Sequence, residues 1–325
     1  MPPDSLSPAS QTVEGQVVRA DARLFHVSVG ERTLPAAPRG KLFEGLLRKN
    51  PVAVGDLVRV DLSSSPASIE EVIQRRNYLG RRASAHDPRE QVLVANVDRL
   101  FVIGSLVKPG FSSNRTDRIL AACFWHDIPA VLVLNKIDLA RGSEAAEIRA
   151  TYEKAGIEVL ETSATERIGI EALRERLRDK LSVFYGASGA GKSTLLNVIQ
   201  PGLNIKVGKI SRYWDTGKHT TTFSQLHRLE IGGWVIDTPG IRVFRLHGLT
   251  SGDLRGLFPE FAPFAARCRY PDCSHDHEPG CAVFEAVESG AIGATRFASY
   301  LEMLDELAPP PQEEVPMDLE AEEDA

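Results

Sequence analysis

Long apolar segments are missing from this sequence. No stretch of its 325 residues approaches the roughly 18 consecutive apolar residues that a membrane-spanning helix needs. The N-terminal sequence MPPDSLSPAS also has no apolar run behind a basic start, which a secretory signal peptide would have. We therefore expect a cytoplasmic protein with no membrane partner.

Basic residues are missing from the C-terminal end. Residues 309–325 contain seven acids and no Lys or Arg, and they begin with three prolines. Such a segment cannot bury enough apolar surface to offset its ordering, so we expect a disordered, solvated acidic tail; masking of a basic surface is the alternative. The formal net charge is −6, and removing these seven acids would leave +1. Bulk charge therefore neither proves nor excludes a nucleic-acid partner.

The remaining chain predicts a multidomain α/β protein. After a disordered N-terminus at 1–14, short alternating apolar runs predict a small β-barrel over 15–80. Strands then alternate with helices, expected at 115–125, 144–154 and 171–180, which indicates a doubly wound, mostly parallel sheet over 88–250. A loop-rich, Cys- and His-bearing domain is expected over 251–308, ending in a helix near 294–307.

A phosphate-binding loop lies near the middle of the chain. The segment fits G-x-x-x-x-G-K-S, between an apparent strand, LSVFY, and an apparent helix, STLLNVI. Glycines let backbone N–H groups surround phosphates, Lys192 can reach the β and γ phosphates, and Ser193 can bind Mg²⁺. The predicted nucleotide-binding residues here are Gly186, Ala187, Ser188, Gly189, Ala190, Gly191, Lys192, Ser193 and Thr194.

Two downstream segments are typical of a nucleotide switch. In WVIDTPG, Asp237 ends an apolar strand and can hold Mg²⁺ through water, and the Gly240 N–H can contact the γ-phosphate. The run Thr220-Thr221-Thr222 can supply a hydroxyl to the metal when triphosphate is bound. We assign that role to Thr221, although a plain threonine-rich loop is the alternative.

Two further segments indicate guanine recognition. In the run Asn135, Lys136, Ile137 and Asp138, the last carboxylate can accept hydrogen bonds from guanine N1–H and the exocyclic amine, which adenine does not offer. Asn135 would face the opposite base edge, and the stem of Lys136 would cover the ring. Ser163 and Ala164 follow another apolar run and would offer a backbone N–H to guanine O6.

The order of these elements is cyclically shifted. The base-reading segments come first, and the phosphate loop, the Thr run and DTPG follow. Joining the close termini of a GTPase domain and opening the chain elsewhere leaves the same core. The switch region then directly precedes the C-terminal domain.

Three of the four cysteines lie in CRYPDCSHDHEPGC. Cys268, Cys273, His275 and Cys281 have the spacing C-x4-C-x-H-x5-C, which in a reducing compartment favours one structural, tetrahedral Zn²⁺ over disulfides. His277 is a competing ligand that spacing alone does not separate from His275.

The permuted order, with a barrel before it and the C-x4-C-x-H-x5-C run after it, resembles the RsgA (YjeQ) family of small-subunit-dependent GTPases over residues 15–307. The resemblance implies an oligonucleotide-binding (OB) barrel, a permuted GTPase domain and a zinc domain with His275 as the ligand. It also implies GTP and GDP as ligands, the 30S subunit and 16S rRNA as partners in late 30S maturation, and a monomer.

The chain departs from common GTPases after the switch motif. Ile241 follows Gly240 where Ras-like proteins have a glutamine that orients water, and an isoleucine cannot do so. The resemblance makes His219 the candidate water-positioning group, although it could equally cap or pack the switch. Phe223 follows the Thr run at a position where we expect a polar or basic residue, which leaves the switch boundary open.

An arginine-rich segment leaves the barrel. Arg75, Arg76, Arg81 and Arg82 flank Tyr78, which suits RNA phosphate contact and base stacking, although a solvated linker is the alternative. Two other functions keep the same motifs. One is a GTP-gated RNA-binding module with little hydrolysis, and the other is a GTPase with a target other than the ribosome.

Overall fold

The computed structural model describes residues 12–21, 24–43, 50–82, 89–203, 205, 224–237 and 248–307. These residues form a closed barrel, a mostly parallel sheet with helices on both faces, and a small helical C-terminal domain. The predicted fold class, a multidomain α/β protein, is therefore confirmed.

Five strands build the barrel: β1 (Thr12–Ala20), β2 (Phe25–Val29), β3 (Arg32–Pro38), β4 (Leu57–Asp61) and β5 (Ala67–Val72). Their order is β1-β2-β3-β5-β4, and β4 pairs again with β1, which closes the barrel. Only the β3–β5 pair is parallel. β1 begins at Thr12, inside the segment 1–14 that the sequence analysis assigned to a disordered N-terminus.

Small β-branched residues fill the barrel because its interior is narrow. Val17, Val27, Val58, Val60 and Ile69 all have no exposed surface. Their side chains alternate with outward-facing residues along each strand, which is the period-2 pattern predicted from the sequence. A two-stranded ribbon follows the barrel, made of β6 (Tyr78–Arg82) and β7 (Glu90–Ala95).

The central domain alternates strands and helices in chain order. Its elements are β8 (Arg99–Ser105), α1 (Ser113–Trp125), β9 (Ala130–Asn135), α2 (Glu144–Lys154), β10 (Glu158–Thr162), α3 (Ile170–Leu177), β11 (Leu181–Gly186), α4 (Lys192–Ile199), β12 (Ser224–Gln225), β13 (His227–Arg228) and β14 (Trp234–Asp237). Short 3-10 turns occupy Gly40–Phe43, Ile137–Leu139 and Pro201–Leu203.

The central sheet has the order β10-β9-β8-β11-β14-β13, and only β13 is antiparallel to its neighbour. Alternate residues of β8 face opposite sides. Leu100 and Val102 share a core with α1 and α2, and Phe101 and Ile103 share a core with α3 and α4. Burial on both faces explains the nearly continuous apolar strands. The carboxyl ends of β9, β10 and β11 meet at one edge of the sheet, where α/β proteins bind ligands.

The predicted helices are present with small shifts at their ends. α2 matches its predicted bounds, and α1 starts two residues before the predicted 115. α3 ends at Leu177 rather than at 180, because Asp179 has a left-handed backbone and the chain turns into β11 at Leu181. None of the helices in the described ranges is long and apolar enough to cross a membrane.

β12 joins the barrel although it lies within the predicted GTPase domain. It pairs antiparallel with the end of β1, opposite Arg19 and Ala20. The Leu226 N–H donates to the Val18 carbonyl at 2.8 Å, and Leu226 is buried. The strand that follows residues 206–223 is therefore hydrogen-bonded to the barrel.

The C-terminal domain consists of short helices on an aromatic core. Its elements are α5 (Ser251–Leu254), α6 (Ala262–Ala265), α7 (Ala282–Glu288) and α8 (Ala294–Leu307), with 3-10 turns at Arg255–Leu257 and Pro259–Phe261. α8 has the bounds predicted from the sequence. Phe258, Phe261, Phe297 and Tyr300 pack against one another in stacked, tilted and edge-to-face pairs, with ring centroids 5.0–6.3 Å apart.

A buried ion pair joins the C-terminal domain to the central domain. Arg296 of α8 donates to Asp117 of α1 at 2.7 Å, and both side chains are at most 1% exposed. Arg296 also contacts both carboxylate oxygens of Glu260, at 2.7 and 3.0 Å. At the rim of the same helix pair, Arg118 forms a bidentate pair with Glu306. α8 is therefore held against α1 by paired charges as well as by apolar contacts.

Replacing Asp117 with alanine is expected to lower the free energy of unfolding by about 3–5 kcal/mol, because Arg296 would lose one of two partners while staying buried. Chemical denaturation measures the change. The exposed acid of α8, Asp305, provides the control, since Asp305→Ala should change stability by less than about 0.5 kcal/mol. Equal losses for the two variants would show that the buried pair contributes nothing specific.

Candidate active site and metal centre

The phosphate loop joins β11 to α4, and its glycines are required by close packing. Gly189 and Gly191 have φ values of +83° and +99°, which residues with a Cβ rarely adopt. A Cβ at Gly186 would lie 2.4 Å from the Ile103 carbonyl, and one at Gly191 would lie 2.2 Å from the Asn135 amide nitrogen. The loop is therefore pressed against β8 and β9, and α4 begins at Lys192 with its N-terminus at the loop.

Lys192 folds back over the loop. Its Nζ donates to the carbonyls of Gly186 at 2.9 Å and Ala187 at 3.2 Å. This places the ammonium on the loop side of α4, together with Ser193 and Thr194 in the first turn of the helix. A cation held here can neutralise the phosphates of a nucleotide whose oxygens take the backbone N–H groups of the loop.

Asn135 joins the base-reading strand to the phosphate loop. Its side chain is 1% exposed, and its Nδ2 donates to the Ala190 carbonyl at 2.9 Å. Its Oδ1 accepts a hydrogen bond from the Thr162 hydroxyl at 3.1 Å. The amide still has a second hydrogen that could reach a base edge. The sequence analysis missed the bridging contacts because Thr162 and Ala190 are far from Asn135 in sequence.

Lys136 connects three backbone segments. Its backbone is left-handed, with φ of 64°, and its Nζ donates to the carbonyls of Val107, Lys108 and Gly189 at 3.3, 2.7 and 2.7 Å. The ammonium is thereby fixed at the loop. The methylene stem extends from the end of β9 to this point, which is the arrangement that the predicted ring-covering role requires.

Asp138 is exposed beside the turn that follows β10. Its Oδ2 accepts a hydrogen bond from the Thr165 hydroxyl at 3.3 Å. The Thr165 hydroxyl also lies 3.0 Å from the hydroxyl of the buried Ser163, and Ser163 Oγ accepts the Glu166 N–H at 3.1 Å. Ala164 is half-buried between them. Asp138, Ser163 and Ala164 therefore lie together, and Thr165 is a positioning residue that the sequence analysis did not identify.

Several predicted site residues lie outside the described residues. These are His219, Thr220, Thr221, Thr222, Phe223, Gly240 and Ile241. Only the backbone of Asp237 is described; it ends β14, opposite Phe184 of β11. The structure therefore brings Asp237 to the strand that carries the phosphate loop, and the switch assignments stay predictions.

The four predicted zinc ligands converge in the C-terminal domain. The Sγ atoms of Cys268, Cys273 and Cys281 and a nitrogen of His275 lie within 4.8 Å of one another. His275 Nδ1 lies 3.6 Å from Cys268 Sγ and 3.5 Å from Cys281 Sγ. Neighbouring ligands of a tetrahedral Zn²⁺ with bonds of about 2.0–2.3 Å lie roughly 3.6 Å apart. Three thiols and one imidazole that converge in this way form a donor set that fits a tetrahedral Zn²⁺.

The structure separates the two competing histidines. His275 is 2% exposed and faces the thiols, whereas the His277 side chain is 80% exposed and pairs with Asp276 at 3.0 Å. The hydrogen bond to Asp276 raises the pKa of His277. The ligand loop is also fixed from outside, because the Tyr300 hydroxyl donates to the Ser274 carbonyl at 2.6 Å. His275 is therefore the fourth member of the cluster.

Two of the four arginines after the barrel have structural partners. Arg75 donates to both oxygens of the fully buried Asp56, at 2.7 and 2.8 Å. Arg76 donates to Asp98 at 2.8 Å and keeps 60% of its side chain exposed. The side chains of Arg81 and Arg82 lie outside the described part of the chain. Of this run, Arg75 is thus a fold determinant rather than a free surface cation.

The chain is similar to known proteins over most of its length. The profile of the RsgA GTPase family matches residues 72–247. The small ribosomal subunit biogenesis GTPase RsgA of Chlorobaculum parvum is 40% identical over 313 residues, which cover 92% of this chain and 99% of the relative. The small ribosomal subunit biogenesis GTPase RsgA 2 of Bacteroides thetaiotaomicron is 39% identical over 267 residues, covering 81% and 86%.

Two solved structures share the whole architecture. YjeQ from Thermotoga maritima superimposes with a TM-score of 0.74 at 32% identity, covering 91% of this chain and 98% of that one. YloQ, described as a circularly permuted GTPase, gives a TM-score of 0.68 at 26% identity, covering 93% and 98%. The permuted order inferred from the motifs is thus matched by solved structures.

Proposed function

Because the chain belongs to the RsgA family and is a GTP hydrolase, we propose that it hydrolyses GTP to GDP and phosphate during late maturation of the small ribosomal subunit, which stimulates the reaction. The observation that carries the proposal is the meeting of two permuted motifs. Asn135, from the base-reading strand, bonds to Ala190 of the phosphate loop at 2.9 Å. The hydrogen bond joins the end of the predicted base-reading strand to the predicted phosphate loop, which supports one shared nucleotide site.

The nucleotide would be held by groups with separate tasks. Asp138 accepts the two guanine N–H groups, and the Ala164 N–H donates to guanine O6. The loop N–H groups and Lys192 bind the phosphates and offset the charge that spreads over the γ-phosphate oxygens as its bond breaks. Ser193 and Thr221 would bind Mg²⁺ directly and Asp237 through water. Mg²⁺, when bound, adds positive charge at the β and γ phosphates.

His219 is the proposed water-positioning residue. Its place in the sequence between the phosphate loop and DTPG supports this role, as does Ile241, which cannot orient water. We expect His219→Ala to lower subunit-stimulated hydrolysis by about 10²-fold while GTP affinity stays unchanged. Stopped-flow phosphate release measures the rate, with Lys218→Ala as a neighbouring control. Stimulated hydrolysis at the wild-type rate in His219→Ala would remove His219 from the mechanism.

The small subunit and its 16S rRNA are the proposed partners. The printed names of the relatives describe small-subunit biogenesis, and the N-terminal barrel has the strand order of an OB fold, which binds oligonucleotides. A factor with this partner would act in the cytoplasm, and we propose that it acts as a monomer. One Zn²⁺ per chain, bound by Cys268, Cys273, His275 and Cys281, would stabilise the C-terminal domain. We propose that this domain makes a second contact with the small subunit.

Co-sedimentation with separated ribosomal subunits tests the partner. With a non-hydrolysable GTP analogue, we expect the protein to pellet with small but not large subunits, and with GDP to remain in solution. Equal binding to both subunits would contradict the assignment and favour another target. Tight, nucleotide-dependent binding without multiple-turnover hydrolysis would favour the GTP-gated RNA-binding module.

A further inference from the structure

A cavity lies between the barrel and the central domain, away from the nucleotide site. It is lined by Pro51, by residues 72–78, which leave the barrel, and by residues 125–127 at the end of α1. We call it the junction cavity. Its volume is about 520 Å³, within the range of roughly 300–1,000 Å³ that is usual for small-ligand sites. No residue of the phosphate loop or of the base-reading segments lines it.

One wall of the junction cavity consists of aromatic rings. Tyr78 and His126 lie with ring centroids 4.6 Å apart, and the Tyr78 hydroxyl donates to Glu90 at 3.0 Å. Trp125 lines the same cavity and keeps 37% of its surface exposed. The planes of Tyr78 and His126 are tilted by 53°, so each ring presents its own face, and the hydrogen bond to Glu90 holds the Tyr78 ring in place at low conformational cost.

Two polar side chains of the wall, Asn77 and Arg75, are already hydrogen-bonded. Asn77 Nδ2 donates to the Val97 carbonyl at 2.9 Å and to the Asp127 carbonyl at 3.3 Å, and Asn77 Oδ1 accepts the Val97 N–H. Arg75 is held by Asp56. Asn77 and Arg75 are therefore committed to the protein, whereas the exposed side chains of Gln74 and Asp127 also line the cavity. A base would be recognised mainly by stacking on the rings.

Arg76 gives the cavity one accessible positive charge. Its Nη2 donates to the Asn96 carbonyl at 3.1 Å and to Asp98 at 2.8 Å, yet 60% of the side chain stays exposed. The guanidinium is thus held in place while most of its surface can contact a further group. An exposed, preorganised arginine beside stacking rings suits a base that carries a phosphate.

We propose that the junction cavity receives one unstacked base of single-stranded RNA, stacked on Trp125 and the Tyr78–His126 pair, with Arg76 contacting the adjacent phosphate. This inference rests on the proposed function, because an RNA partner is part of it. A duplex would not serve, since its bases are already stacked and their faces are not accessible. A free nucleotide offers the same chemistry, and the test separates the two sources.

Binding of a fluorescein-labelled, ten-nucleotide single-stranded RNA of mixed sequence to the full-length protein tests the inference. We expect Trp125→Ala to weaken binding about tenfold or more and Trp125→Phe to restore most of it. The matched control is Phe124→Ala, since Phe124 is the neighbouring residue, 36% exposed, and does not line the cavity. Arg76→Ala should reduce the slope of log affinity against log salt by about 0.7, which Trp125→Ala should not do.

A second measurement leaves every residue of the junction cavity unchanged. In protein with Trp214 and Trp234 replaced by phenylalanine, Trp125 is the only tryptophan, and single-stranded RNA should quench its fluorescence whereas the same RNA as a duplex should not. Unchanged Trp125 fluorescence, or wild-type RNA affinity in Trp125→Ala, would overturn the inference. Competition by AMP as effective as that by RNA would assign the cavity to a free nucleotide and overturn the RNA assignment.

Failure here is distinguishable from failure of the proposed function. Trp125 lies outside the nucleotide site, so basal GTP hydrolysis of Trp125→Ala should equal that of the wild type. If the wild-type protein shows subunit-stimulated hydrolysis but no quenching of Trp125, only the junction cavity is wrongly assigned. If RNA quenches Trp125 but subunits do not stimulate hydrolysis, the proposed function fails while the cavity remains an RNA site.

Discussion

Asp138→Asn is expected to change the nucleotide preference from GTP to XTP. The carboxylate of Asp138 can accept hydrogen bonds from guanine N1–H and from the amine on C2. Xanthine has a carbonyl oxygen on C2 instead. The amide nitrogen of the asparagine can donate to this oxygen, and the amide oxygen of the asparagine can accept N1–H. A site whose hydrogen-bonding groups match one base and mismatch another discriminates between the two nucleotides by about 10⁴-fold.

Values of kcat/KM for the two nucleotides measure the change. We expect kcat/KM to fall by about 10⁴-fold with GTP and to rise with XTP. The prediction depends on where the structure places Asp138, in the turn at Ile137–Leu139 and hydrogen-bonded to Thr165. Glu166→Gln is the matched carboxylate-to-amide control, because Glu166 is a neighbouring exposed acid. A preference for GTP that survives in Asp138→Asn would contradict the assignment of the base-reading site.

Loss of zinc is expected to unfold the C-terminal domain. The domain spans residues 251–307, and a unit of about 60 residues buries only about 60% of the surface of its unfolded chain and is marginally stable by itself. A structural Zn²⁺ contributes about 10–16 kcal/mol in zinc-finger peptides, far more than such a core provides. Removal of the ion should therefore expose this domain to proteases and release α8 from α1.

Metal analysis and limited proteolysis check this prediction with two matched histidine variants. His275→Ala should lose the ion and become cleaved within 251–307, because His275 faces the thiols. His277→Ala should keep one zinc per chain and stay resistant, because His277 is exposed and pairs with Asp276. One zinc retained in both variants would show that the cluster is not the metal site.

Features fixed by local pattern could be predicted from the sequence. The apolar strand before Asn135 and the glycine-rich loop before Lys192 place both motifs at strand ends, and parallel strands then bring them to one edge. α8 also matches its predicted bounds. In each case neighbouring residues determine the local conformation, so periodicity and turn chemistry were sufficient.

Features that depend on distant contacts could not be predicted. Arg75 belongs to an apparently basic surface run, but its partner Asp56 precedes it by 19 residues. β12 has two residues and no periodicity, and it exists because β1 offers an edge. The choice between His275 and His277 depends on contacts with Cys268 and Cys281, which only the His275 ring makes, on a backbone with a positive φ of 63°. None of these outcomes leaves a signal in the local sequence.

The C-terminal domain is attached to the central domain in two ways. The chain enters it after the predicted switch residue Gly240, and the Asp117–Arg296 pair holds α8 on α1. The barrel is likewise bonded to β12, which follows the predicted switch residue Thr221. Each of the two predicted switch segments is thus followed by a segment that connects to a domain proposed to contact the ribosome. Nucleotide-dependent ordering of these segments would therefore act directly on subunit binding.

The most direct test of the account is multiple-turnover phosphate release from GTP by the purified full-length protein, alone and with separated ribosomal subunits. Lys192→Ala serves as the blank, because it removes the cation of the phosphate loop. We expect slow phosphate release by the protein alone, strong stimulation by small but not large subunits, and loss of both activities in Lys192→Ala. A flat, low rate despite tight binding to small subunits would contradict it.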